Sequence, residues 1–398
     1  MTQFKLHPQS KTSLTPIGVI LLILNPFLAT IYSLVKAFYS SKPKICFYFI
    51  ILFLALINIT IKADQTDYSW YLPLYESATH IDLLSYLFLL NDAKEPLYTL
   101  INWVVAHLFF GNIKMFSVFS TFFFYICGIE GIFSLGKYLK INRVYVITAV
   151  SFFLFFPYIF ANSANLLRQY YATGMMMWAI PEILGGNKKY WILALAAVFV
   201  HTSSGLLLLL LVMPFLKWAL SYKSAIFYLV MFLVLRFLGV IAETLLKIPG
   251  LSFMSYALNK ASTETTFETE YTLGKLLFAI VIVCVPLVII NINSRLRKNQ
   301  IVVKIINLQL FFLIYIASNL NQAELCARLN IYLWCLLPFN VLICISHYKI
   351  KPTTLLLGTI LFFCFFVYYA LFMTQYTYFC KSGLITNTIV GFINQSKF

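Results

Sequence analysis

A bundle of helices crossing a lipid bilayer many times is the fold class this sequence predicts, and three observations carry it. Of its 398 residues 61% are hydrophobic and only 11% charged, with a mean hydropathy of +0.87. So little polar surface cannot clothe a water-soluble globule of this size. Apolar stretches long enough to cross a bilayer, which takes about 20 residues as helix, recur from Ile17 to Met373. The weak ten-residue alternation of an outer-membrane barrel is absent, which leaves α-helices as the form that satisfies its own backbone in lipid. The expected architecture is all-α: one polytopic transmembrane domain over residues 1–398.

Taken in order, helices are expected near 15–35, 44–62, 96–136, 144–161, 166–185, 191–200, 204–217, 224–242, 272–293, 301–318, 328–346 and 353–375, about twelve crossings. The first run is interrupted by Asn25-Pro26 and lacks a small-residue cleavage pattern, so it reads as a membrane helix and not a signal peptide. Segment 96–136 is too long for one simple span. Segment 191–217 is too short for two full passes, which predicts broken or half-depth helices meeting at His201-Thr202-Ser203-Ser204-Gly205. Non-helical backbone at membrane depth is tolerated only where it lines protein or a wet cavity, so this break marks such a place. The two longest connectors without basic clusters, 63–95 and 243–271, are the main external loops. The first, with Asp67-Tyr68-Ser69-Trp70-Tyr71 and Tyr75-Glu76, suits stacking on sugar rings and accepting hydroxyl hydrogen bonds, or equally an interfacial aromatic belt.

The net charge of +16 raises the question of a nucleic-acid partner, and its distribution answers it. Basic residues cluster in short connectors, at Lys36/Lys42/Lys44, Lys137/Lys140/Arg143, Lys188/Lys189, Lys217/Lys223, Arg295/Arg297/Lys298 and Lys349/Lys351. These alternate strictly with connectors 63–95, 162–168, 201–204, 243–271 and 319–327, which hold most of the Asp and Glu. That is a positive-inside pattern, so the charge reports orientation and not nucleic-acid binding. The N-terminal tail carries Lys5 and Lys11 on what this scheme places outside. The reading is a multi-pass protein of a bacterial inner membrane whose unusual polar residues face the periplasm or exterior. The eight cysteines show neither C-x-x-C spacing nor histidines at ligand spacing, and they read as buried hydrophobes. Only Cys326 and Cys380 fall on or near the predicted outer face, where a bridge between them is conceivable. No metal and no cofactor is called for, and no phosphate-cradling glycine loop is present.

Several polar residues stand where a membrane should not tolerate them without a reason. Arg168 begins helix 166–185 three residues after Asn165, Arg328 begins helix 328–346 after Glu324, and Arg236 sits in the outer half of helix 224–242. Each alone is explained by snorkelling or by a carboxylate partner. Several at one level suit a pyrophosphate, because guanidinium groups bind phosphate bidentately and keep their charge. His201 lies in the predicted break. An imidazole there either accepts a proton from a sugar hydroxyl or is a hydrogen-bonded packing residue. Glu95, followed by Pro96, is either a second candidate base or a helix cap, and Asp67 a third candidate or a loop acid.

The order Asp67, Tyr71, Tyr75, then Glu95-Pro96-Leu97-Tyr98, then Asn165-Leu166-Leu167-Arg168-Gln169-Tyr170-Tyr171-Ala172, then Phe199-Val200-His201-Thr202-Ser203, then Ala327-Arg328-Leu329-Asn330-Ile331-Tyr332 resembles the EpsG/Wzy-type polysaccharide polymerases over roughly residues 44–346. It departs from them at Lys62 and Ala63, where an arginine and a Gly-Thr are more usual, which leaves the role of Asp67 open. The resemblance implies a GT-C-like glycosyltransferase that lengthens an O-antigen or related polysaccharide. Donor and acceptor would be oligosaccharides on undecaprenyl pyrophosphate, reached through membrane lipid, and a chain-length regulator protein is admitted as a partner. His201, Glu95 and Asp67 would be catalytic. Arg168, Arg328, Arg236, Asn165, Gln169, Tyr171 and Tyr332 would bind substrate. A flippase for the same lipid-linked sugars, another polyprenyl-linked glycosyltransferase and an O-antigen ligase remain as alternatives at this stage.

Overall fold

The computed structural model describes residues 15–62, 68–89, 95–218, 221–237, 272–320, 323–373 and 377–396, and among these no strand occurs beyond a single bridge between Ile61 and Tyr378. Asp67 and the loop 243–271 lie outside the described residues. The helices are α1 (Thr15–Leu24), α2 (Pro26–Tyr39), α3 (Pro43–Asn58), α4 (Tyr68–Ser77), α5 (Leu83–Leu89), α6 (Pro96–Leu108), α7 (Ile113–Tyr138), α8 (Arg143–Phe155), α9 (Pro157–Ser163), α10 (Leu167–Leu184), α11 (Tyr190–Val200), α12 (Ser204–Val212), α13 (Tyr222–Arg236), α14 (Leu273–Ile292), α15 (Ser294–Arg297), α16 (Gln300–Ser318), α17 (Ala323–His347), α18 (Pro352–Tyr368) and α19 (Ile389–Gln395).

Five of these segments are long and apolar enough to cross a membrane: Ile113–Tyr138, Leu273–Ile292, Gln300–Ser318, Leu325–His347 and Pro352–Met373. A sixth follows if α8 and α9, bent by 52° at their junction, count as one span. The bend sits at Phe156, which Pro157 pushes into an extended conformation, φ −73° and ψ 112°. Segment 96–136 is indeed two helices: α6 and α7 part at a turn where Phe110 and Gly111 take positive φ, 52° and 72°. Helix starts follow local chemistry. Asn25, Asn112, Asn142, Asn293 and Asn299 each accept a backbone N–H from the turn they begin, and Pro26, Pro43, Pro96, Pro157 and Pro352 fill first-turn positions where no N–H is needed.

The chain divides into two compact units, Met1–Leu209 with Tyr348–Phe398, and Leu210–His347. In the first, α7 and α10 run side by side in the same direction. Ser120 Oγ meets Tyr171 OH at 2.6 Å near one end, and Ser134 Oγ donates to Glu182 Oε1 at 2.6 Å near the other. Their close approach depends on Gly131, where an added Cβ would overlap the backbone carbonyl of Met177. Pro181 is the reason that carbonyl is available: four residues on, it has no N–H to offer Met177 O. At the end away from Ser120, Glu182 also accepts from Tyr138 OH at 2.8 Å and Asn187 Nδ2 at 2.9 Å, and Lys44 pairs with Glu130 at 2.6 Å. These two acids lie in helices, not in the connectors where most acids gather, and each is spent on a partner.

The second unit repairs its proline defects with buried amides. Pro286 inside α14 leaves Ile282 O without its helical donor, and Asn340 Nδ2 of α17 supplies one at 2.9 Å while also donating to Gln309 Oε1 of α16 at 2.8 Å. Asn307 Nδ2 serves the carbonyls of Leu216 and Trp218, each at 3.0 Å, beside the 3-10 turn Pro214–Lys217. On α14 the exposed residues Leu273, Leu277, Val281, Val285, Val288 and Ile292 recur every three to four positions. An apolar stripe facing outward is the reverse of a soluble helix and is what lipid contact requires. All eight cysteines are free; Cys326 and Cys380 are each buried in their own unit, and Cys326 Sγ donates to Asn319 O at 3.0 Å.

Candidate functional site

Three connectors converge in the first unit, bringing Glu95 into contact with both Arg168 and His201. Helix α11 ends at Val200 because His201 turns extended, φ −153° and ψ 118°, and α12 begins only at Ser204, so the predicted break is real. The break directs the His201 imidazole at Glu95: Nδ1 pairs with Glu95 Oε1. An ionised carboxylate can only accept, so Nδ1 is the donor and the lone pair of a neutral ring resides on Nε2. That Nε2 is buried and has no hydrogen-bond partner among the described residues.

Glu95 occupies the position preceding α6, yet its side chain makes no cap hydrogen bond there. The helix-cap reading therefore fails: both carboxylate oxygens are used elsewhere. Oε2 accepts from Arg168 NH1 at 2.7 Å, and Oε1 accepts from the Thr202 backbone N–H at 3.3 Å as well as pairing with His201. Burial opposes the charge on this carboxyl. The hydrogen bond from His201, the Arg168 guanidinium and the Thr202 N–H outweigh burial and hold Glu95 below the usual carboxylate range.

Arg168 sits in the first turn of α10, where the positive end of the helix dipole disfavours a cation. Glu95 compensates it. The guanidinium also donates from Nε to Tyr71 OH at 3.2 Å and lies 5.6 Å from the Tyr71 ring centroid. Its side chain is 45% exposed against 8% for Glu95, so the buried carboxylate carries at its edge a cation that opens outward. Behind it runs a line of tyrosines. Tyr71 meets Tyr98 edge-on at 5.8 Å, Tyr98 meets Tyr171 at 5.9 Å, and Tyr171 closes on Ser120.

Of the residues singled out from sequence, Glu95, Arg168 and His201 thus form one cluster, with Tyr171 joined to it through Tyr98. Asn165 precedes α10 and Gln169 lies in its first turn; both are buried. Asp67 lies outside the described residues. Arg236, Arg328 and Tyr332 belong to the second unit. Arg236 closes α13, and its NH1 reaches Ser318 O at 3.4 Å, where a cation suits the carbonyl end of α16. Arg328 is exposed near the start of α17, and Tyr332 one turn on is buried against Phe312 at 5.4 Å. The Thr202 N–H and Ser120 carry no sequence signal that singles them out; Tyr71 and Tyr98 stand in the motif strings, but nothing in their spacing gives their contact with Arg168 and with each other. Among the described residues no group of three or more His, Cys, Asp or Glu side chains is placed to hold a metal ion.

Apolar helices of membrane-crossing length together with a buried carboxylate–imidazole pair edged by an arginine define a helical membrane protein with a polar site built from its connectors. A family model for the EpsG family matches residues 44–388, and the chain belongs to that family. The match contains every site residue named above and extends past the motifs that carried the resemblance. No curated protein and no solved structure matches the chain.

Proposed function

We propose that this protein is a polysaccharide polymerase of the bacterial inner membrane, with about twelve crossings and its site facing the periplasm or exterior. It transfers a growing glycan from undecaprenyl pyrophosphate to a hydroxyl of another lipid-linked repeat unit. The observation that carries this reading is the Glu95–His201 pair beside Arg168 in a chain of the EpsG family. Glu95 holds the His201 tautomer whose Nε2 takes the proton of the acceptor hydroxyl, by the logic of a carboxylate orienting a catalytic imidazole. The acceptor oxygen bonds to the anomeric carbon as that carbon's bond to the pyrophosphate oxygen breaks. The bond electrons leave with the lipid pyrophosphate, and Arg168 meets the charge that develops there. Glu95 is thereby a positioning residue and His201 the base.

The alternatives differ in what a cell lacking the protein accumulates. A strain deleted for this chain is expected to display surface glycan of a single repeat unit on a polysaccharide gel, with the ladder of longer chains gone. Complete loss of repeat units from the surface would instead indicate transport of the lipid-linked sugar and overturn the polymerase reading.

A further inference from the structure

Arg168 has five N–H groups in one plane and two edges on which a phosphate can sit, the Nε/NH2 edge and the NH1/NH2 end. Tyr71 OH occupies Nε at 3.2 Å, and its ring flanks the guanidinium, whose carbon stands 5.6 Å from the ring centroid. Glu95 takes one hydrogen of NH1 at 2.7 Å. Among the described residues the hydrogen bonds of the guanidinium use Nε and NH1, which leaves NH2 for an anion at the NH1/NH2 end. Tyr71 is not a loose side chain that happens to lie nearby. It is 7% exposed on α4, and its ring is braced edge-on against Tyr98, which is braced in turn against Tyr171.

We infer that Tyr71 is a positioning residue that closes the Nε edge of Arg168, so that a pyrophosphate meets the guanidinium only through its NH1/NH2 end. This rests on the proposed use of Arg168 for the donor pyrophosphate. The consequence is geometric: the open end includes NH1, the nitrogen tied to Glu95, which in turn holds His201. The anion is thereby kept in register with the base. With Nε unguarded the same anion can sit side-on, still bound but displaced from the reacting hydroxyl.

The test uses the purified full chain, with undecaprenyl pyrophosphate as the binding probe and lipid-linked repeat units as substrate. Tyr71→Phe keeps the ring and its packing and removes only the hydroxyl. It is expected to bind undecaprenyl pyrophosphate within about threefold of the unaltered protein while its kcat falls about tenfold. In an Arg168→Lys background, which has no Nε edge to guard, the same change is expected to do nothing further. A residue that merely supports the fold would lower the unfolding midpoint and cost the same in both backgrounds. Full kcat in Tyr71→Phe, or an equal loss with arginine and with lysine at position 168, would overturn the inference. Failure of the unaltered protein to bind undecaprenyl pyrophosphate would instead strike the functional reading on which it rests.

Discussion

Replacing His201 by glutamine is expected to lower polymer formation per mole of folded protein on the order of a hundredfold or more, with binding of the lipid-linked donor nearly intact. Glutamine keeps hydrogen-bonding ability and approximate size but cannot titrate, so the variant separates proton transfer from packing. The geometry sharpens this expectation. His201 Nδ1 is committed to Glu95, and Nε2 is buried with no partner among the described residues. A packing histidine has its polar atoms satisfied, because a buried unpaired nitrogen costs about 1–3 kcal/mol. Here one nitrogen is anchored and the other has no partner among the described residues, which suits an acceptor hydroxyl better than packing. Glu95→Gln should fall in the same direction. Its amide can offer an N–H to Nδ1 and hold the ring in the tautomer whose Nε2 carries a hydrogen and cannot accept one. The check is turnover paired with a thermal unfolding midpoint for each variant. Near-normal turnover in His201→Gln would end its candidacy as base, whatever the midpoint.

Arg168→Ala is expected to reduce chain extension on the order of a thousandfold, and Arg168→Lys by about tenfold to a hundredfold. Alanine removes both the cation proposed to meet the leaving group and the partner of Glu95 Oε2. Lysine restores a charge as a point and loses the fork, so the difference between the two variants measures how much of the effect is geometry. The side chain's 45% exposure predicts that the folded state tolerates either change better than it would a change at Glu95, which is 8% exposed. Folded protein without activity is therefore the expected phenotype, read as normal size-exclusion behaviour with no polymer. Full activity in a properly inserted Arg168→Ala would remove this residue from the site.

Much of the helical framework was legible in the sequence because the signals that set it are local. Asn142 announces a helix start within one turn, and the polar run His201–Gly205 announces a break in apolar sequence, whereas Asn25 and Pro157 divide segments 15–35 and 144–161, which the sequence reads as single helices. The division of segment 96–136 was expected in kind, but its place depends on the positive φ of Phe110 and Gly111, a conformation that Phe110 does not advertise. Asn340 illustrates a different limit. Its task, donating to the carbonyl that Pro286 strands, pairs residues on two helices, and no local pattern links them. The candidate site divides in the same way. Residue types identified Arg168, His201 and Glu95 as anomalous in lipid, each with two readings. The choice between cap and site for Glu95 needed its contacts with partners 73 and 106 residues away. Tyr71 is a further case: an aromatic in an aromatic loop has no mark in sequence that separates it from Trp70, yet it is 7% exposed and Trp70 77%.

If the proposed function holds, this chain by itself lengthens glycans on a lipid pyrophosphate carrier. The most direct test reconstitutes the purified protein in proteoliposomes with a single repeat unit linked to undecaprenyl pyrophosphate and follows glycan length and released carrier together. A ladder of longer glycans is expected, with one undecaprenyl pyrophosphate released for each bond formed. Repeat units that cross the bilayer, or remain where they are, without any gain in length would contradict the proposed function.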